Sequence, residues 1–122
     1  MKGILLVGHG SRSAEAQQVF TQIIEALRNR LQTEVEGCSM EISEPFIPET
    51  VEKMVQKGVR HITVLPYFLY SGIHIKEDIP EILKEIKEKH KELEITMAEP
   101  LGYHNTLIDI LVERLAGETR CI

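Results

Sequence analysis

Residues 4–12, ILLVGHGSR, decide the fold. Ile4 to Val7 is a continuous apolar run, the pattern of a strand buried on both faces. Gly8 and Gly10 then open a loop, and Ser11 or Ser13 stands where a helix N-cap is needed. The following helix is predicted from about Ala14 to Leu31, with Ala16, Val19, Phe20, Ile23, Leu27 and Leu31 on one face.

The rest of the chain repeats this alternation. A second strand is expected over about Glu34–Glu41, weakened by Gly37. ISEPFIPE (42–49) carries two prolines and reads as a loop. Pro48 suits the first turn of a short helix bearing Val51, Met54 and Val55, which Gly58 ends. Ile62–Leu65 is the third strand and Tyr67–Glu77 a long loop. Pro80 opens a helix with Ile79, Ile82, Leu83 and Ile86 on its apolar side. Glu94–Ala98 is a fourth strand, and after the Pro100-Leu101-Gly102 turn a last helix carries Leu107, Leu111 and Leu115. Strands alternating with helices imply a parallel sheet covered by helices. The expected fold is therefore a three-layer α/β/α domain spanning residues 1–122. Right-handed crossovers give its four strands the order 2-1-3-4.

Composition bounds the partners. With 122 residues, 43% of them hydrophobic, the chain makes one domain with a modest core. A formal net charge of −5 argues against a nucleic-acid binder, which would show a basic face. No apolar run reaches membrane-span length, and the short one at the start does not read as a signal peptide. Cys38 and Cys121 form no CxxC pair, so reduced thiols in a cytoplasmic protein are expected.

Chemistry gathers where strands end. In parallel α/β sheets ligands bind beyond the carboxyl ends of the strands. His9 leaves strand 1 there, Glu41 leaves strand 2, and His74 lies in the loop after strand 3. Neighbouring strands are about 4.8 Å apart, so loop tips can bring these three groups onto one divalent ion. Glu44, Glu49 and Glu52 read as solvated carboxylates. Arg12 is placed to cap, to pair with Glu15 or to meet an anion, and Lys76 offers a second cation beside His74. His61 and His90 fit structural positions. His104, near a helix start, stays open between lining the same crevice and a structural role. GHGSR has neither the GxxxxGK[ST] nor the GxGxxG spacing, which argues against a nucleotide site.

Three segments together, LLVGHGSR (5–12), MEISEP (40–45) and LPYFLYSGIHIKEDIP (65–80), resemble the sirohydrochlorin chelatases, and AEPLGYH (98–104) extends the likeness. These are class II chelatases, which insert cobalt, iron or nickel into a tetrapyrrole without ATP. The resemblance implies half of a two-domain chelatase fold, working as a homodimer. It implies His9 and His74 as catalytic residues and His9, Glu41 and His74 as metal ligands. It also implies a divalent metal as substrate, cobalt first with nickel and iron as alternatives, and no permanently bound cofactor. A sirohydrochlorin-type macrocycle would meet Gly8, Gly10, Ser11 and Arg12 on one side. On the other lie Tyr70, Ser71, Gly72 and Lys76, with Tyr67–Tyr70 as apolar wall. The chain departs from some relatives in having no histidine-rich central tract. Two rival readings use the same residues: a non-catalytic metal carrier, and a phosphotransferase with His9 as acceptor.

Overall fold

A computed structural model describes all of residues 1–122. Strands β1 (Lys2–Gly8), β2 (Glu34–Ser39), β3 (His61–Pro66) and β4 (Glu94–Met97) form one parallel sheet in the order β2-β1-β3-β4. Helices α1 (Ala14–Leu31), α2 (Ile47–Gln56) and α3 (Ile79–Lys89) connect them, and α4 (Asn105–Ala116) closes the chain. This is the expected fold and strand order. No helix is long and apolar enough to cross a membrane.

Side-chain alternation divides the sheet into two unequal faces. Leu5, Val7, Cys38, Ile62 and Val64 point to one face, where Val51 and Met54 of α2 and Ile79, Leu83 and Ile86 of α3 cover them. Each fully buried aliphatic side chain there contributes about 1.5–3 kcal/mol. The other face holds only α1, whose Phe20 and Ile24 lie against Gly37 of β2. Ser13 caps α1 by accepting the Ala16 N–H at 3.3 Å.

Several sequence expectations need correction. Strand β2 stops at Ser39, two residues short of Glu41, because Ser39 then bridges to Phe46. Gly37 does not weaken that strand; a Cβ there would collide with Ile24, so the glycine lets α1 approach the sheet. The apolar stripe of α1 is only half used. Phe20, Ile23 and Leu27 are partly buried, whereas Ala16, Val19 and Leu31 remain exposed. The loop after β3 ends at Ile73, and His74–Asp78 forms a π-helical turn running directly into α3. Pro80 accounts for part of this: it has no N–H for the carbonyl four residues back, and its ring crowds that carbonyl. A widened turn ahead of it lets the helix continue.

Helix α4 stands apart. It has no buried residue, and Leu111 and Leu115 are 62% and 83% exposed. The sheet face beside α1 is likewise open over β3 and β4, where Thr63 and Thr96 pair across the strands and His61 meets Glu94 at 2.8 Å.

Candidate metal centre

The register sets the strand ends level. Gly8 lies opposite Ser39, and Val7 opposite Pro66. Beyond the ladder the chain stays zipped: Met40 N–H donates to the Gly8 carbonyl at 2.8 Å, and Glu41 N–H to the His9 carbonyl at 3.3 Å. These two bonds tie His9 to Glu41 without help from either side chain. His74 arrives differently, on the first position of the π-turn, with its neighbour Ile75 anchored in the core.

The three expected ligands converge. His9 Nε2 is 3.2 Å from Glu41 Oε1, and His74 Nε2 is 3.9 Å from the same oxygen. The imidazole centroids are 5.5 Å apart at 60°, and one ligand atom from each residue lies within 4.8 Å of the other two. Nitrogen and oxygen ligands sit about 2.0–2.2 Å from a zinc-sized ion. Small rotations of half-exposed side chains are enough to close three of them on one ion. On such an ion Glu41 would supply negative charge and the imidazoles borderline-soft nitrogen, with further coordination positions left open.

Phe68 flanks this pair, its ring centroid 6.5 Å from each imidazole. On the far side of His74, Nδ1 meets Asp78 Oδ2 at 2.7 Å. Asp78 was missing from the sequence reading. Its signal was the His-x-x-x-Asp spacing, which puts two side chains on one helical face and is lost once the segment is read as loop.

The other candidate residues are spread over separate places. Gly8, Gly10 and Ser11 line a cleft of about 700 Å³ that starts at His9 and runs between α1 and β2 as far as Arg28 and Glu36. Two N–H groups of the GHGSRS segment are already engaged: Ser11 N–H donates to Ser43 Oγ at 3.1 Å and Ser13 N–H to Ser11 Oγ at 3.0 Å. Tyr70, Ser71, Gly72 and Lys76 are exposed on the loop and turn that carry His74, outside that cleft, and Arg12 is exposed at its mouth-side loop. His104 is the N-cap of α4, its Nδ1 accepting the Thr106 N–H at 3.0 Å, and it joins no ligand group. Cys38 also lines the cleft, but burial, reinforced by the Glu49 charge, pushes its thiol up to about 12. Its side chain packs in the core beneath α2 and α3, and it belongs to no ligand group.

The CbiX family model matches residues 3–118. The chain belongs to the CbiX family. Among CbiX relatives, the sirohydrochlorin cobaltochelatase of Methanocaldococcus jannaschii is 32% identical over 96% of this chain and 99% of its own length. That of Sulfolobus acidocaldarius is 40% identical over 93% of this chain and 89% of its own. The sirohydrochlorin chelatase SirB from Bacillus subtilis subspecies spizizenii, solved in complex with cobalt, superposes with a TM-score of 0.89 at 30% identity. It covers 94% of this chain, which spans only 50% of SirB. The CbiX chain thus spans nearly the whole of these archaeal cobaltochelatases and about half of SirB.

Proposed function

We propose that this chain inserts a divalent metal, cobalt first, into sirohydrochlorin without ATP. The observation that carries this is the convergence of His9, Glu41 and His74 on one point at the strand ends. The reaction replaces two pyrrole N–H protons by one dication, so the site must hold the ion and accept two protons. His9 and His74 serve both needs through Nε2, whose lone pair ligates the ion and, once the ion has passed to the macrocycle, is free to accept a proton. Glu41 is the third ligand. The remaining coordination positions hold water until pyrrole nitrogens displace it. No resident cofactor takes part.

Space favours this reading over its rivals. A carrier needs only an ion-sized hole, whereas a cleft of ligand-pocket size adjoins the centre at His9, the one member of the ligand group that lines it. A phosphotransferase needs arginines around the phosphate; Arg12 is the one arginine close to His9 in sequence, and Arg28, at the far end of the cleft, is engaged with the Val35 carbonyl and Glu36. The expected result with purified protein is that sirohydrochlorin gains cobalt faster than in its absence, followed by the absorbance of the metallated macrocycle. Nickel and iron are compared in parallel. A chain that binds cobalt yet accelerates none of the three insertions would be a carrier, and the proposal would be wrong.

The working form is a homodimer. This chain matches only half of SirB, which leaves room there for a second unit of this size, and here α4 and the open half of the sheet face are left for a partner surface. An aspartate at Leu111, which is 62% exposed in the single chain, would then be buried as an unpaired charge. Light scattering is expected to give twice the chain mass of 13.9 kDa for the wild type and about one chain mass for Leu111→Asp. A monomeric wild type would remove the dimer. Cytoplasmic residence belongs to the same proposal and rests on two unpaired thiols, Cys38 and Cys121.

A further inference from the structure

We propose that Asp78 is the positioning residue of the metal centre, fixing the tautomer and direction of His74. This inference rests on the metal-centre reading above. A neutral imidazole has one N–H and one lone pair, and the hydrogen bond at one nitrogen decides which is which. At His74 the Nδ1 faces Asp78 Oδ2 at 2.7 Å, while Nε2 faces Glu41 Oε1 at 3.9 Å. A carboxylate only accepts, so Nδ1 carries the proton and donates it to Asp78. The Nε2 lone pair is left facing the point shared with His9 and Glu41.

Two further observations separate this role from helix building. Asp78 occupies the N-cap place of α3 yet makes no side-chain cap hydrogen bond, and its backbone is already helical (φ −67°, ψ −49°). Its side chain turns to His74 instead of to the helix. The backbone between the two residues is the π-turn, closed by the Ile79 N–H donating to the His74 carbonyl. Such turns are rare and concentrate at functional sites. Here the widened turn starts at His74 and ends at Asp78. The pair also differs from its neighbour: His9 meets Glu41 through Nε2 and has no second carboxylate behind it. His74 is therefore the oriented ligand, and His9 the freer imidazole that can leave the ion when the macrocycle arrives.

A carboxylate behind a ligating imidazole typically governs metal affinity by about 10–100-fold. The test uses Asp78→Asn, which keeps the shape, and Asp78→Ala, which removes the acceptor. Cobalt alone is titrated in without tetrapyrrole, and long-range nitrogen–proton NMR of metal-free protein reads each imidazole tautomer, with His74 assigned through His74→Ala. These readouts need no turnover, so a chain that fails as a chelatase can still pass them. In the wild type His74 is expected as the Nδ1–H tautomer. In both variants that tautomer is expected to lose its dominance and cobalt affinity to fall about 10–100-fold, with unchanged circular dichroism. An Nε2–H tautomer in the wild type would overturn the inference, as would cobalt affinity within twofold of wild type in both variants.

Discussion

Replacing His74 by alanine is expected to lower the rate of cobalt insertion by at least about 100-fold, the lower end of what a positioned proton acceptor contributes. His9→Ala is expected to do the same. Each removes one nitrogen from a three-membered ligand group whose atoms lie within 4.8 Å of one another. Each also removes one of the two imidazoles available for the departing pyrrole protons. The two losses should not add. Once the ion is no longer held at the shared point, the second imidazole has nothing to act on, so the double variant is expected near the single ones. Stability should be almost untouched, because both side chains are substantially open to solvent, at 47% and 34%, and substitutions of such residues usually cost little. Absorbance-followed insertion and thermal unfolding by circular dichroism check both halves of the expectation. Retention of more than a tenth of the wild-type rate in both variants would remove these histidines from the chemistry.

How much of this was legible depends on whether a feature is local or depends on something distant. The β1 run Ile4–Val7 and the β-branched stretch at 62–64 declare themselves as buried strands, and handedness then leaves little choice of order. His9 follows directly on β1, which the sequence marks clearly, whereas Glu41 lies two residues beyond the end of β2, a strand that Gly37 obscures in the sequence. His74 was legible as a residue but not as a position. Its segment has a π-turn, whose period differs from the 3.6 residues that sequence patterns are matched against, and Ser71-Gly72 just before it reads as loop. Asp78 was lost with the helix. Gly37 looked like a defect because the crowding by Ile24 that requires it comes from another element. The stripes on α1 and α4 show the opposite limit. Periodicity identifies the apolar side of a helix, but it does not say what covers it. Leu111 and Leu115 remain uncovered by their own chain.

Gly10→Ala is expected to damage both fold and site, and the site by more. Gly10 has φ +103°, a conformation that side chains with Cβ rarely adopt. Holding a non-glycine residue there costs roughly 1–3 kcal/mol. The larger problem is spatial. A Cβ on Gly10 would run into the backbone carbonyl oxygen of Glu41, which already accepts the Ser43 N–H at 2.9 Å. Backbone held by hydrogen bonds cannot swing aside as a side-chain tip can, so the segment 39–43 must move, and the Glu41 carboxylate moves with it. A displacement of about 1 Å at a catalytic constellation can cost on the order of 100-fold in rate. Gly58→Ala separates the two causes. Gly58 has a similar φ of +97° but open space around its Cβ position, and it caps α2 away from the ligands. Both variants should therefore show a lowered Tm from backbone strain, while only Gly10→Ala loses cobalt affinity and insertion. Equal cobalt affinity in the two variants would mean that contact between the loop after β1 and the Glu41 backbone does not set the carboxylate's place. The ligands would then be aligned by the ion itself, as it binds, and not beforehand by the fold.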